Sequence, residues 1–361
     1  MAVTTTTQIA APVNVVYQTT LLRRAQMVCP YFVGSMAGEV RSHSGTFTVK
    51  WRRFEHLTPT TTPLAEITGS LAFPTRTAVQ PSVTDVTATV QKYGNFVFLN
   101  EEVDLINITR VGDQIATVLG ENAGRSLNRL QRNELEDGST QVFFATGAAT
   151  ATSLGGNSNI SLSRIANINN ILDRNDAMRF LPETRGSQNI GTAPVRESYW
   201  GITHPDVGED LRALTGWNSV ETYAGQTETY PGEIGHVGGV RWIVTTEATI
   251  DLAGGATVTS TATGIGRTAG GTSYDVYNTV IMGKEAVGSL GLDANHIKEI
   301  YRSDDRLPAV MMITHPKGSA GAADPLNEVA SVGWKSWHAA EILNTTWIRA
   351  ARHTASKLTT A

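Results

Sequence analysis

Residues 203–214, THPDVGEDLRAL, gather His204, Asp206, Glu209 and Asp210 within seven positions. An imidazole beside carboxylates at this spacing could hold a metal ion or pass a proton between an acid and a base, the site of an α/β enzyme. The stretch also has a simpler account. A strand ends at Thr203, Pro205 occupies a first helical turn, and the acidic side chains complement the positive end of a helix dipole. LNEEVDL (99–105) clusters Glu101, Glu102 and Asp104, which could ligate Mg²⁺ or Ca²⁺, but it lacks the glycine-punctuated alternation of a calcium loop. It reads more simply as a solvated face or a helix entry. GEIGHVGG (232–239) puts four glycines into eight positions. A phosphate cradle needs a strand, then glycines, then a helix. Here the glycines lead into VRWIVTT, with the residue types of a strand, so they read as a flexible turn that launches one.

The remaining chemistry-bearing residues fit no site. The eight histidines never fall at metal-ligand spacing, and no Gly-x-Ser-x-Gly elbow or kinase motif occurs. Cys29 is the single cysteine, which excludes an intrachain disulfide, and it reads as a buried, inert thiol. Trp334, Trp337 and Trp347 read as core residues of strands. Neither a metal nor a cofactor is expected, and enzymology has no anchor.

The elements that would position such residues are easier to read. GTFTVKWRRFEHL (45–57) and VTDVTATVQKYGNFVFL (83–99) are strand-like, the second alternating over residues 83–90. The connection between them carries Pro59, Pro63, Pro74 and Pro81 and few large apolar residues, so the pair suggests an extended two-stranded loop projecting from the body. Gln114 to Glu136 follows as a long helix, with Asp113 as N-cap, Gly138 past its end, and Ile115, Val118, Leu119, Ala123, Leu127 and Leu130 on one apolar face. At 1.5 Å per residue it makes a rod of roughly 36 Å. Gly120 and Gly124 inside it suggest close approach by a neighbour. Beyond it come a helix in SRIANINNILDRNDAMRFL, a strand turning into a helix in ESYWGITHPDVGEDLRAL, strands in GVRWIVTTEATID and YDVYNTVIMGKEAVGSL, an exposed excursion over 254–273, and strands around 332–340 and 343–350.

Composition sets the class. The 361 residues carry a net charge of −4 and only 17% charged side chains, so a lightly charged surface suits extensive protein contact. Nothing signals specific nucleic-acid binding, and no apolar run approaches the roughly 20 residues of a membrane span. The Thr/Ala-rich beginning, MAVTTTTQIAAPV, has too little apolar surface to fold alone and reads as a loose arm.

This order of elements resembles the major capsid proteins of tailed bacteriophages, with the Hong Kong 97-like fold, and within them the family of the phage N-four coat protein. The resemblance rests on TVKWRRFEHLTPTTTPLAE, VTDVTATVQKYGNFVFLNEEVDL, HPDVGEDLR, GEIGHVGGVRWIVTTEA, YNTVIMGKEAVGSLGL and DPLNEVASVGWKSWHAAEILNTTWI. It implies an α+β fold with an N-terminal arm over 1–44, an extended loop over 45–99, and a peripheral domain with the spine helix over 100–139. An axial domain would cover 140–330, with strands closing back onto the peripheral domain in 331–361. It implies a structural protein without catalysis: a homo-oligomer of hexamers and pentamers in the virion, assembled in the host cytoplasm around double-stranded DNA that it does not bind specifically. Scaffolding, portal and decoration proteins are the implied partners, and no membrane is involved. Val13, Val15 and Tyr17 of the arm and Leu64, Ile67, Leu71 and Phe73 of the loop are then the expected inter-subunit contacts. A β-rich surface or adhesion protein is the other reading that the Thr/Gly-rich composition allows.

Overall fold

A computed structural model of the chain describes residues 30–40, 45–61, 63, 79–102, 111–145, 149–180, 197–222, 230–257, 273–292, 310–319 and 325–356. The long helix, α1, runs Val111–Asp137. It begins before Gln114, so Asp113 lies inside the helix rather than capping it. Ala116, Leu119 and Ala123 bury one stripe of α1 against Val310, Met312, Val332 and Trp334. Gly120 and Gly124 are buried, as close approach requires. Val118, assigned by spacing to that stripe, is 60% exposed. At 3.6 residues per turn it sits about 200° round from Ala116, away from the stripe that Ala116, Leu119 and Ala123 bury. Leu127 and Leu130 are half-buried. Leu135, which the pattern did not single out, is 0% exposed and packs into a different core.

That second core exists because α1 spans two sheets. The five-stranded sheet orders β1 (Met36–Val40), β12 (Val287–Leu292), β14 (Val329–Ile342) and β13 (Val310–His315), with β4 (Gln91–Asn100) on the other edge of β14. β14 buries alternate residues Val332, Trp334, Ser336 and His338, the period of a strand with one covered face. The eight-stranded sheet orders β5 (Thr140–Phe143), β15 (Ile348–His353), β11 (Val276–Met282), β6 (Tyr199–Thr203), β9 (Val240–Val244), β8 (Glu233–Val237) and β7 (Asn218–Ser219), with β10 (Ile250–Asp251) on β11. Helices α2 (Leu162–Arg174) and α3 (Pro205–Arg212) cover one face with Ile165, Ile168, Leu172, Val207 and Leu211. Tyr31, Val33 and Leu135 cover the other. With both faces covered, β6 and β11 are buried at every residue and read as runs rather than alternations.

Four features depart from the sequence reading. The helix expected over 163–181 ends at Arg174, and Asp176 just beyond it takes a positive φ of 52°. The stretch 83–99 is broken at Val90: β3 (Val83–Thr89) pairs with β2 (Thr48–Phe54) in a two-stranded ribbon, whereas β4 pairs with β14. The sheets also do not divide at residue 330. β12 and β13 lie in the five-stranded sheet and β15 in the eight-stranded one, so the chain crosses between sheets after Met282 and again after Ile342. The last strand starts at Ile348, later than position 343, because a turn closed by the Trp347 N–H on the Asn344 carbonyl at 3.1 Å intervenes. Trp347 therefore precedes the strand.

Leu135→Ala is expected to lower the unfolding free energy of the unassembled chain by about 3 kcal/mol, as for a fully buried leucine. Val118→Ala is expected to change it by less than about 0.5 kcal/mol. Urea denaturation of both variants checks the reassigned faces, and equal losses would contradict them.

Candidate functional site

Chain direction places His204 where β6 hands over to α3, and the side chain acts as the N-cap. Its Nδ1 accepts the Asp206 backbone N–H at 3.3 Å, with Pro205 at the first helical position. Burial lowers the His204 pKa, against the opposing pull of Asp206, so the ring stays neutral and able to accept. Asp206 Oδ2 accepts the Tyr277 hydroxyl at 2.9 Å, and burial together with that bond raises the Tyr277 pKa. Asp210 accepts the backbone N–H of Ser356 at 2.8 Å and also its hydroxyl. The structure thus brings His204 and Asp206 together, as a cap tied to β11, while Glu209 is exposed. The capping account of this stretch describes the geometry.

Next to the cap runs a buried chain of hydrogen bonds. Thr203 Oγ1 lies 2.7 Å from Thr279 Oγ1, and Thr279 Oγ1 lies 2.7 Å from His353 Nε2. His353 Nδ1 is 3.1 Å from the Thr354 carbonyl, which needs a proton on Nδ1 and leaves Nε2 to accept the Thr279 hydroxyl. The ring is 0% exposed and stacks against Phe144 at 5.4 Å, and burial pushes its pKa down to about 4. Every polar atom of the ring has a partner within the fold, which makes the group structural.

The glycine stretch also resolves. Residues 233–237 form a strand, correcting the single turn expected over 232–239. The turn that leads into β9 is made by Gly238 and Gly239, with φ of +62° and +78°, and Gly232, with φ of +87°, belongs to a separate turn before β8. Positive φ at two adjacent residues is the hairpin geometry that glycine favours. A Cβ on Gly238 would also meet Ile165 Cγ2 of α2 at 3.0 Å. No helix follows, so the backbone offers no phosphate cradle.

No group of three His, Cys, Asp or Glu among the described residues is placed to hold a metal. Glu101 and Glu102 begin a helical turn, and Asp104 lies outside the described residues. So do Val13, Val15, Tyr17, Cys29, Leu64, Ile67, Leu71, Phe73 and most of 254–273.

What the described surface does offer is unpartnered apolar area. Phe96 and Phe98 of β4 are 63% and 66% exposed, with rings edge-to-face at 5.1 Å. Phe96 sits over Gly333 of β14, where a Cβ would come within 2.8 Å of the Phe96 Cβ. At the far end of the ribbon Phe54 faces Val83, both exposed. Sequence reasoning missed these residues as a surface because aromatic strand residues ordinarily report a core. The spine helix is clamped as well. Glu247, in the turn after β9, receives Arg125 at 3.0 Å and Arg129 at 2.5 Å, and its carbonyl accepts Arg132 at 2.5 Å. No motif in the sequence announces that glutamate.

A model of the phage capsid protein family matches residues 101–303. The fold is similar to the capsid of Ralstonia phage GP4, at 12% identity over 92% of this chain and 93% of that one, with a TM-score of 0.60. It is also similar to the cyanophage Pam1 capsid asymmetric unit, at 12% identity over 90% and 92% of the two chains, with a TM-score of 0.56. For the head structure of Helicobacter pylori bacteriophage KHP40 the values are 12%, 91%, 91% and 0.51. No curated protein matches the sequence.

Because His353 has a folded pKa of about 4, below the ordinary value near 6.5 of an unfolded histidine, the unfolded chain binds the extra proton between those values. Its contribution to stability is complete above about pH 6.5 and is lost as pH falls toward 4. The stability gap between the natural chain and His353→Asn is therefore expected to narrow from pH 7 to pH 4.5. Chemical denaturation at several pH values checks this, and a gap independent of pH would contradict it.

Proposed function

Since the chain belongs to the phage capsid protein family, we infer that it is the major capsid protein of a tailed phage and closes into an icosahedral shell of hexamers and pentamers around double-stranded DNA, without a catalytic step. The family match over 101–303 carries this reading. The fold is α+β and Hong Kong 97-like, with a projecting ribbon and a spine helix, and its neighbours are phage heads. The exposed Phe96–Phe98 pair on β4 and Phe54 with Val83 at the ribbon end support it physically, since apolar area of this kind marks protein contacts. Light charge suits a container, because a strongly basic lining would hold dense DNA through its phosphates. Among the described residues no helix is long and apolar enough to cross a membrane.

We assign the eight-stranded sheet with α2 and α3 to the axial domain, and α1 with the five-stranded sheet to the peripheral domain. Of the arm (1–44), the residues before Pro30, together with the loop between β2 and β3, then reach adjacent copies, while Tyr31, Val33 and β1 pack within the fold. Val13, Val15, Tyr17, Leu64, Ile67, Leu71 and Phe73 are the contacts we assign to them. Portal, scaffolding and decoration proteins complete the particle, which assembles in the host cytoplasm.

Negative-stain microscopy of the purified chain is expected to give closed shells, and small discrete particles only would overturn the reading. Deletion of residues 1–17 is expected to leave the melting temperature of the unassembled chain unchanged while lowering shell yield. Equal assembly of that deletion would remove the arm from the shell's contacts.

A further inference from the structure

The ribbon of β2 and β3 meets the body of its own chain at its root. Alternation puts Val49, Trp51 and Arg53 of β2 and Ala88, Val86 and Thr84 of β3 on the inner face. Burial falls away along that face: Ala88 is buried, Val49, Val86 and Trp51 are half-buried, and Arg53 and Thr84 are exposed. Val49 and Ala88 join a small core with Val40, Val90 and Leu290. Trp51 reaches past it onto β1 and β12. Met36, Val40 and Leu290 project from the same face of those two strands, but positions 38 and 288 are glycine, so a hollow opens between them. The indole lies in that hollow. A Cβ on Gly288 would come within 2.8 Å of Trp51 Cζ2 and 2.9 Å of its Cη2, and a Cβ on Gly38 within 3.1 Å of Cζ2. Glycine inside a strand costs stability, and it marks a place where another group comes close.

Beyond Trp51 the inner face overhangs an open gap of about 270 Å³, with Arg53 and Val86 on the ribbon side and Met178, Leu343 and Trp347 on the body side. The gap gives the ribbon room to rock, and the seated indole is its stop. We propose that Trp51, held over Gly38 and Gly288, is the positioning residue that sets the angle at which the ribbon leaves the body. Carbon atoms in ordinary contact lie about 3.5–4.0 Å apart, so a methyl group at position 288 displaces the ring by about 1 Å. Trp51 pairs with Val86, and the strand from there to Val90, where β3 gives way to β4, measures about 13 Å, which turns that displacement into a tilt of about 4°. At the Phe54–Val83 pair, about 23 Å from Val90, the same tilt moves the ribbon by about 2 Å. The seat is a property of one chain; its consequence for assembly rests on the shell-forming reading.

The test follows the ribbon in the unassembled full-length chain. Spin labels at Val83→Cys paired with Glu209→Cys, and at Val83→Cys paired with Glu328→Cys, each in a Cys29→Ser background, report the distance from the ribbon to two points of the body by pulsed electron paramagnetic resonance. Gly288→Ala is expected to shift the mean distance of at least one pair by about 2 Å. Trp51→Ala is expected to widen both distributions, because no packed ring then stops the ribbon. Gly288→Ala combined with Trp51→Phe is expected to restore the natural mean, since a phenyl ring ends short of the atoms that meet the new methyl group. Distributions unchanged in Trp51→Ala overturn the proposal, and so does a shifted Gly288→Ala mean that Trp51→Phe leaves shifted. Should Gly288→Ala fail to fold, the width in Trp51→Ala decides alone. In assembly followed by sedimentation, Trp51→Ala is expected to raise the concentration for half-maximal shell formation about tenfold. If the natural chain forms no shells, the shell reading fails while the label distances still decide the seat. If shells form and Trp51→Ala assembles like the natural chain, the link from the seat to assembly is overturned.

Discussion

One helix has to satisfy two sheets at once. The first half of α1 lays small residues, Ala116 and Ala123 with Leu119, against β13 and β14, which lets backbone approach backbone. Its second half carries Leu135 into the core behind the eight-stranded sheet. There the buried Glu136 accepts Asn278 Nδ2 at 3.0 Å and the Thr249 N–H at 3.4 Å. Burial raises the pKa of Glu136, and these bonds offset part of that rise. A carboxylate removed from water is tolerated only when donors replace the water. The Arg125, Arg129 and Arg132 contacts to Glu247 add a second attachment nearer the surface. Sliding α1 along its axis would therefore break apolar fit on one sheet and polar fit on the other together.

The division of labour between the sheets follows from that constraint. The eight-stranded sheet is covered on both faces, and the Arg241–Glu233 ion pair at 2.6 Å ties its adjacent strands β8 and β9, with Arg241 stacked 4.4 Å from the Trp200 ring. The polar groups of His204, Thr279 and His353 find partners inside the fold. The five-stranded sheet is covered by α1 on one face, while β4 and the ribbon joined to it leave aromatic side chains in solvent. Chemistry in this protein is thus of the associative kind. The apolar side chains left in solvent, Phe54, Phe96 and Phe98, lie where another chain can meet them.

Legibility in the sequence followed the range of the interaction. Local signals were readable: the β6–α3 junction from Pro205 and its acidic neighbours, and the strand after Gly239 from its residue types, whereas α2 was recognised as a helix but not where it ends. Long-range pairings were not. Nothing in the run from Val83 to Leu99 reveals that Val90 separates two partners, because both halves have strand composition and the partners, residues 48–54 and 329–338, lie far away in sequence. Val118 was misplaced because a stripe on a helix is defined by what it meets, and α1 meets different neighbours along its length. Glu247 looks like an ordinary surface glutamate until the fold brings arginines to it. The extended order of elements was what carried the family, since no single segment holds a chemical signature.

Val90 is all that separates the ribbon strand β3 from β4, and β4 then runs antiparallel to β14 through ten register pairs, from Gln91↔His338 to Asn100↔Val329. Antiparallel hydrogen bonds stand perpendicular to the strands. A pull on the ribbon directed along β4 therefore loads that whole ladder in shear, side by side, instead of unzipping it rung by rung. The outermost part of the molecule is anchored through the longest strand of the sheet beneath it, so tension from a neighbour is shared across that sheet before it reaches the spine.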